Sequence, residues 1–216
     1  LSYIYATMDD MQKRSLDTCT KDYLERILRL KPEFSEGLQG LAYSSGRSGL
    51  SPRLVVQALD LTQKILRGTS NGEEQIVLED GKYVKINFSS SGQQECVWIL
   101  NLLFYYLVQQ KEILFIIEEP ESHLFPESQK YITELIALVN NCGHSIVLTT
   151  HSPYVLGTLN NLLYAKTISP QARKEANKII RESLWLDYNA FDSWFVKNGT
   201  IENAEFQSIK KLSEER

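Results

Sequence analysis

The chain has 216 residues, 43% hydrophobic and 23% charged, enough to bury one good core and a small second lobe, which excludes fibrous and disordered classes. A net charge of −4 and a pI near 5.5 leave no global basic face, so affinity for nucleic acid would need a local patch or a segment outside this chain. No run of about 18 apolar residues appears, which excludes a membrane-spanning helix of ordinary length.

The N-terminus lacks the pattern of a signal peptide. The chain starts at Leu1 rather than Met and reads as a piece of a longer or processed protein. Cys19, Cys96 and Cys142 are odd in number and far apart, and read as reduced core thiols of a cytosolic protein.

In chain order, residues 9–30 place Leu16, Tyr23, Leu24, Ile27 and Leu28 at helical spacing, and Pro32 stops that pattern. The Gly- and Ser-rich stretch 37–52 predicts a loop, after which Pro52 opens a helix to about Arg67. Alternation on both sides of Asp80-Gly81 predicts a hairpin, 75–78 with 83–88. A strongly apolar helix follows over 92–110, then an apolar strand at 113–117, a helix in PESQKYITELIALVNN and a second apolar strand in HSIVLTTHS. Strands apolar on both faces and alternating with helices predict a parallel sheet covered on both sides. Beyond His151 the pattern predicts a short helix, a strand over 162–168, a helix over 170–183, a weak hairpin in SWFVKNGTIENAEF and a fraying charged tail. The fold class expected is α/β, a mostly parallel sheet flanked by helices, with a helical segment 1–70 ahead of a lobe 71–216.

The sharpest chemical signal is ILFIIEEPESHLFP. Its apolar strand delivers Glu118 and Glu119 at the carboxyl end, where α/β sheets place ligands. Adjacent strand residues point to opposite sides, and two neighbouring acids at a strand tip are costly unless a cation or partner satisfies them. A solvated acidic loop is the alternative. The functional reading is a Walker B element, in which one carboxylate serves Mg²⁺ and the next orients and deprotonates the attacking water.

The second signal, SIVLTTHSP, ends a strand in His151, from which a neutral imidazole could reach a γ-phosphate at the neighbouring tip. His123 and His144 read as loop residues. The third signal is SSSGQQE at 89–95, before a long helix: hydroxyls, a glycine and free helix N-terminal amides form an anion site, although many such turns merely cap a helix.

The order of these segments resembles the ABC-type ATPase head of SMC/RecF proteins. IIEEPESHLFP followed by TTHSP is especially similar to the OLD family and related AAA-type ABC ATPases, over roughly 75–163. The resemblance implies the C-terminal lobe of a P-loop ATPase head. In it Ser90, Ser91, Gly92 and Gln93 form the signature touching ATP bound by a second subunit, and Glu118 is the Mg²⁺-side carboxylate. Glu119 is then the general base, Ser122 and His123 lie in the D-loop 122–124, and His151 is the switch residue. Glu118 departs from the commoner Asp of ABC heads.

A P-loop needs a Gly-rich turn ending in Lys and Ser or Thr. The loop around Gly46, SSGRSG, lacks that pair, and the resembled families carry the P-loop in an N-terminal half. The expectation is therefore a cytoplasmic ATPase that dimerises with a second copy of its own head through ATP and Mg²⁺, this chain alone being inactive. Anti-phage defence or DNA metabolism is the implied setting. The alternatives are an ATP-gated module controlling a separate nuclease or effector, and a RecF-like repair ATPase touching DNA through segments outside this chain. No membrane partner is expected.

Overall fold

The computed structural model describes residues 9, 13, 15–44, 49–70, 75–78, 80–109 and 111–204. Helix α1 spans Thr18–Leu30, beginning later than the periodicity suggests because Asp17 caps it: its Oδ1 accepts the Thr20 amide at 2.9 Å. Leu24, Ile27 and Leu30 form its buried stripe, and a 3₁₀ turn over Lys31–Phe34 containing Pro32 ends it. Helix α2, Gly37–Ser44, stands where the glycines and serines predicted a loop. Leu38 and Leu41, three positions apart, are both buried, and burial of that pair outweighs the poor helix propensity around it. The remainder of that loop, 45–48, lies outside the described residues.

Helix α3, Pro52–Leu66, opens with Pro and ends at Arg67, whose left-handed φ of 53° closes the last turn. Three short antiparallel strands follow, β1 (Thr69–Ser70), β2 (Gln75–Val77) and β3 (Tyr83–Lys85), in the order β1-β2-β3. The hairpin falls where Asp80-Gly81 placed it, Gly81 taking φ 78°. Strand β1 escaped the pattern because two residues carry no period.

Helix α4, Ser91–Gln109, is the core helix, buried at Cys96, Val97, Leu100, Leu103, Phe104 and Leu107. That nearly all-round burial matches its unbroken apolar run. Strand β4 (Leu114–Glu118), helix α5 (Pro126–Asn141) and strand β5 (Ser145–Thr149) then form one βαβ unit with β4 and β5 parallel, Leu114 opposite Ser145 and Glu118 opposite Thr149. The pair is not covered on both faces as its composition predicted. Ile117 is buried, but Leu114, Ile116 and Val147, on the alternate face, are 59%, 71% and 51% exposed, since among the described residues the helices pack on one side.

Helix α6, Pro153–Thr167, occupies the span where a strand over 162–168 was predicted. Val155, Thr158, Leu159, Leu162, Leu163 and Ala165 recur at helical spacing into the core, so the β-like look of NLLYAKTI is overridden by continuation of the helix capped at Ser152. Helix α7 is shorter than predicted, Arg173–Ile179, and is followed by 3₁₀ turns over Glu182–Leu184 and Tyr188–Ala190. The terminal hairpin, β6 (Trp194–Lys197) with β7 (Thr200–Asn203), turns at Asn198-Gly199, both at positive φ. The tail beyond 204 lies outside the described residues.

Most of the buried apolar side chains form one contiguous cluster from Leu30 to Leu186. Of the three cysteines only Cys96 is fully buried; Cys19 is exposed, contrary to its reading as a core thiol, because it sits on the outer face of α1. Among the described residues no helix is long and apolar enough to cross a membrane.

Candidate nucleotide-hydrolysis site

Parallel register brings the tips of β4 and β5 side by side, and the two sharpest sequence signals meet there. The Glu119 amide donates to the carbonyl of Thr149 at 3.0 Å, extending the ladder by one bond beyond the strands. Glu119 then takes a left-handed φ of 42°, a conformation unfavourable for a residue with a Cβ. The chain turns sharply: the Ser122 amide returns to the carbonyl of Glu119, and that of Leu124 to Glu121. The turn aims Glu119 across the strand tips, where Oε1 lies 3.1 Å from Nε2 of His151 and Oε2 accepts the Ser122 hydroxyl at 3.4 Å. Glu118, the last residue of β4, is exposed and meets no protein partner among the described residues.

Glu121 is a part of this site that the sequence reading missed. It is only 6% exposed; its Oε1 accepts the Thr150 hydroxyl and the His151 amide, the latter at 3.3 Å. Its Oε2 is buried and unpartnered among the described residues. This carboxylate crosslinks the turn after β4 to the segment after β5, and so fixes the backbone from which His151 projects. The signal was present as a third acid in EEPES, but attention to adjacent acids hid it.

Around this centre the neighbouring segments are locked by side-chain amides. Gln129 on α5 donates to the Leu124 carbonyl at 2.8 Å and accepts the Ser152 hydroxyl at 2.5 Å. Ser152 in turn accepts the Tyr154 and Val155 amides as the cap of α6.

The segment 89–95 packs onto the same turn. A Cβ placed on Gly92 would stand 2.5 Å from the carbonyl oxygen of His123, so only glycine allows this approach. His123, itself at φ 57°, sets Nδ1 3.0 Å from Oε2 of Glu95. Ser90 and Gln93 form a capping box: the Ser90 amide and hydroxyl both donate to Gln93 Oε1, and the Gln93 amide returns to Ser90 Oγ. Gln93 also donates through Nε2 to the Leu66 carbonyl at the end of α3, at 2.7 Å. Ser91 is exposed at the first turn of α4. Glu118, Glu119, Ser122, His123, His151 and the 90–93 segment thus share one end of the molecule. His144 does not: it begins the approach to β5 at the opposite end, and although it follows a turn it is buried, with Phe115 packed edge-on at 5.8 Å.

Among the described residues no three acidic, histidine or cysteine side chains form a metal cluster. Glu118 still suits Mg²⁺, which keeps several waters and needs one or two carboxylates beside the phosphates. What the arrangement offers chemically is an oriented carboxylate next to an imidazole, an unpaired second carboxylate, and a helix N-terminus.

Residues 5–156 match the AAA ATPase domain family. A curated relative, the cytochrome c biogenesis ATP-binding export protein CcmA of Bartonella quintana, is 31% identical over 98 residues, 45% of each chain. The present chain therefore spans under half of that relative in the alignment. No solved structure matches. Its helices and small parallel sheet fit the α/β fold of a P-loop-type ATPase, and with most of its length inside the family match this chain belongs to the AAA ATPase domain family.

Proposed function

We propose that this chain supplies the hydrolytic half of an ATP site, as the C-terminal lobe of an ATPase head of the SMC/RecF and OLD-like kind. The observation that carries the reading is the 3.1 Å approach of His151 Nε2 to Glu119 Oε1 at the carboxyl tips of adjacent parallel strands. In this role Glu119 accepts the proton of the water that attacks the γ-phosphate, and His151 orients that water or the phosphate from the next strand. Glu118 would hold Mg²⁺, which would supply neutralisation of the phosphate charge when bound; the protein's part is to present the carboxylate at the strand tip without a competing cation.

The phosphates need a cradle that no segment of this sequence provides, so nucleotide binding rests on a P-loop elsewhere in the full protein. The signature residues Ser90, Ser91, Gly92 and Gln93, with Ser122 and His123, then face the nucleotide of a second copy, giving an ATP-dependent dimer. The OLD-like motif supports a setting in anti-phage defence or DNA metabolism.

The test uses the full-length protein. Glu119→Gln keeps ATP binding and slows hydrolysis by about 10²-fold or more, the scale of losing a general base, whereas Glu118→Gln weakens the Mg²⁺ dependence. Near wild-type turnover in Glu119→Gln sinks the assignment.

A further inference from the structure

A cavity lies far from Glu119. Lys64 sits 5.4 Å over the Tyr131 ring and Arg67 4.9 Å over Phe125, so the end of α3 meets the start of α5. The start of α3 therefore lies toward the other end of α5, where Asn141 Nδ2 donates to the Ser183 carbonyl at 2.9 Å. The length of α5, about 24 Å at the helical rise, separates the two ends. At this far end a cavity of about 310 Å³ is lined by Arg53, Gln57, Asn177, Arg181, Glu182 and Ser183.

One of its buried donors lacks an acceptor among the described residues. Gln57 is only 3% exposed; its Oε1 accepts the Ser183 hydroxyl at 2.7 Å, while its Nε2 is buried with no partner among the described residues. A buried amide donor left open is unfavourable unless a ligand fills it. Arg53 and Arg181 are exposed, and among the described residues neither has a carboxylate within ion-pair distance, although the Arg181 charge reaches the Glu134 carboxylate and favours its ionised form. Glu182 lies at the rim; its amide is held by Asn177 Oδ1 at 2.6 Å, fixing the turn that carries Arg181 and Ser183. Arg53 also lies in the first turn of the 15-residue helix α3, whose cap Ser51 makes no side-chain bond, so the positive helix end faces the same region. Two planar guanidinium groups, a buried amide donor and a helix N-terminus together suit a phosphate group. The volume exceeds that of bare phosphate and stands at the small end of ligand pockets, roughly 300–1,000 Å³. The cavity's small extent, in a chain of net charge −4, suits a small molecule better than the long backbone of a nucleic acid.

We propose that this cavity binds the phosphate group of a small phosphorylated metabolite. The site is independent of the hydrolytic role assigned to Glu119, and its test reads Gln57 directly. In the 216-residue chain, the side-chain amide signals of Gln57, assigned through Gln57→Glu, are followed by ¹H–¹⁵N NMR during titration with inorganic phosphate and with glycerol phosphate. Saturable shifts are expected for both, tighter for glycerol phosphate, and weakened at least tenfold in Arg53→Ala/Arg181→Ala. The exposed Arg173→Ala serves as control and leaves the titration unchanged. Three results overturn the proposal: no saturable shift at Gln57; equal shifts in the double variant, which means an adventitious ion only; or a response to a single-stranded oligonucleotide with none to the two small probes.

Discussion

Nε2 of His151 stands 3.1 Å from Oε1 of Glu119, joining the tips of two parallel strands through side chains that are 89% and 47% exposed. So exposed a pair contributes little to stability. Its geometry is held by other groups: Glu121 anchors the backbone beneath His151, and the left-handed turn aims Glu119.

His151→Ala should therefore separate activity from stability. Unfolding free energy should change by no more than about 0.5 kcal/mol, as for surface substitutions. ATP hydrolysis by the full-length protein should fall by about 10²-fold, the scale of losing one positioned group at a developing charge. Denaturant unfolding and steady-state turnover on one preparation check both halves.

Glu121→Leu should cost stability as well, because Glu121 holds the backbone from which His151 projects. It leaves the Thr150 hydroxyl and the His151 amide without their acceptor in a largely buried place, which should destabilise by about 1–3 kcal/mol. Glu121→Gln, which keeps one acceptor oxygen, should recover most of that loss in urea unfolding. A Leu variant as stable as wild type would show that the crosslink carries no weight.

Gly92→Ala should push α4 away from the turn, because the new methyl would meet the His123 carbonyl at 2.5 Å, a backbone atom that cannot swing aside. A cost of about 1–3 kcal/mol is expected for such overpacking. Loss of the His123 to Glu95 contact, read from the imidazole NMR signals, should accompany it.

His144 should give a pH-dependent loss of stability. Burial holds its imidazole below the ordinary value, with the Glu112 charge opposing weakly, and neither ring nitrogen has a partner among the described residues. Below about pH 6.5, the ordinary value, the unfolded chain binds a proton that the folded chain resists. Stability from this group is therefore full above that pH and is lost as pH falls from it toward the lowered folded value. His144→Phe keeps the ring packed on Phe115 and should flatten the profile below about pH 6.5; an unchanged slope would assign it to other groups.

Thiol labelling should separate the cysteines. Burial pushes the Cys96 thiol up to about 12 and raises that of Cys142, whereas Cys19 is exposed. Because the thiolate is the reactive form, iodoacetamide at pH 7.5 should modify Cys19 first and leave Cys96 protected until unfolding. Mass spectrometry of the labelled peptides provides the check.

Much of this architecture was legible in the residues. The β4–α5–β5 unit and the meeting of Glu119 with His151 follow from two apolar runs, one helix between them, and polar residues at their carboxyl ends. Helix α2 was hidden because Gly37, Gly40 and Ser44 outnumber the two leucines that decide its burial. The strand expected at 162–168 arose from a short apolar run in which both periods are possible, and the cap at Ser152, far upstream, settled it as helix. Open exposure of Ile116 and Val147 could not be read from strands that look apolar on both faces, since composition says which side chains want cover and not which cover lies in this chain. Glu121 escaped because burial, not adjacency, makes it matter.

Glu119 and His123 both hold positive φ within a single tight turn, a conformation that glycine or asparagine adopts at less cost. Selection for heat tolerance alone would erode both side chains, replacing them with residues at ease in that backbone. A library of the full-length protein screened only for thermal survival should therefore enrich glycine or asparagine at 119 and 123, whereas one screened for turnover should keep the acid at 119. The divergence between the two screens would measure how far the turn is maintained for its chemistry at the expense of the fold.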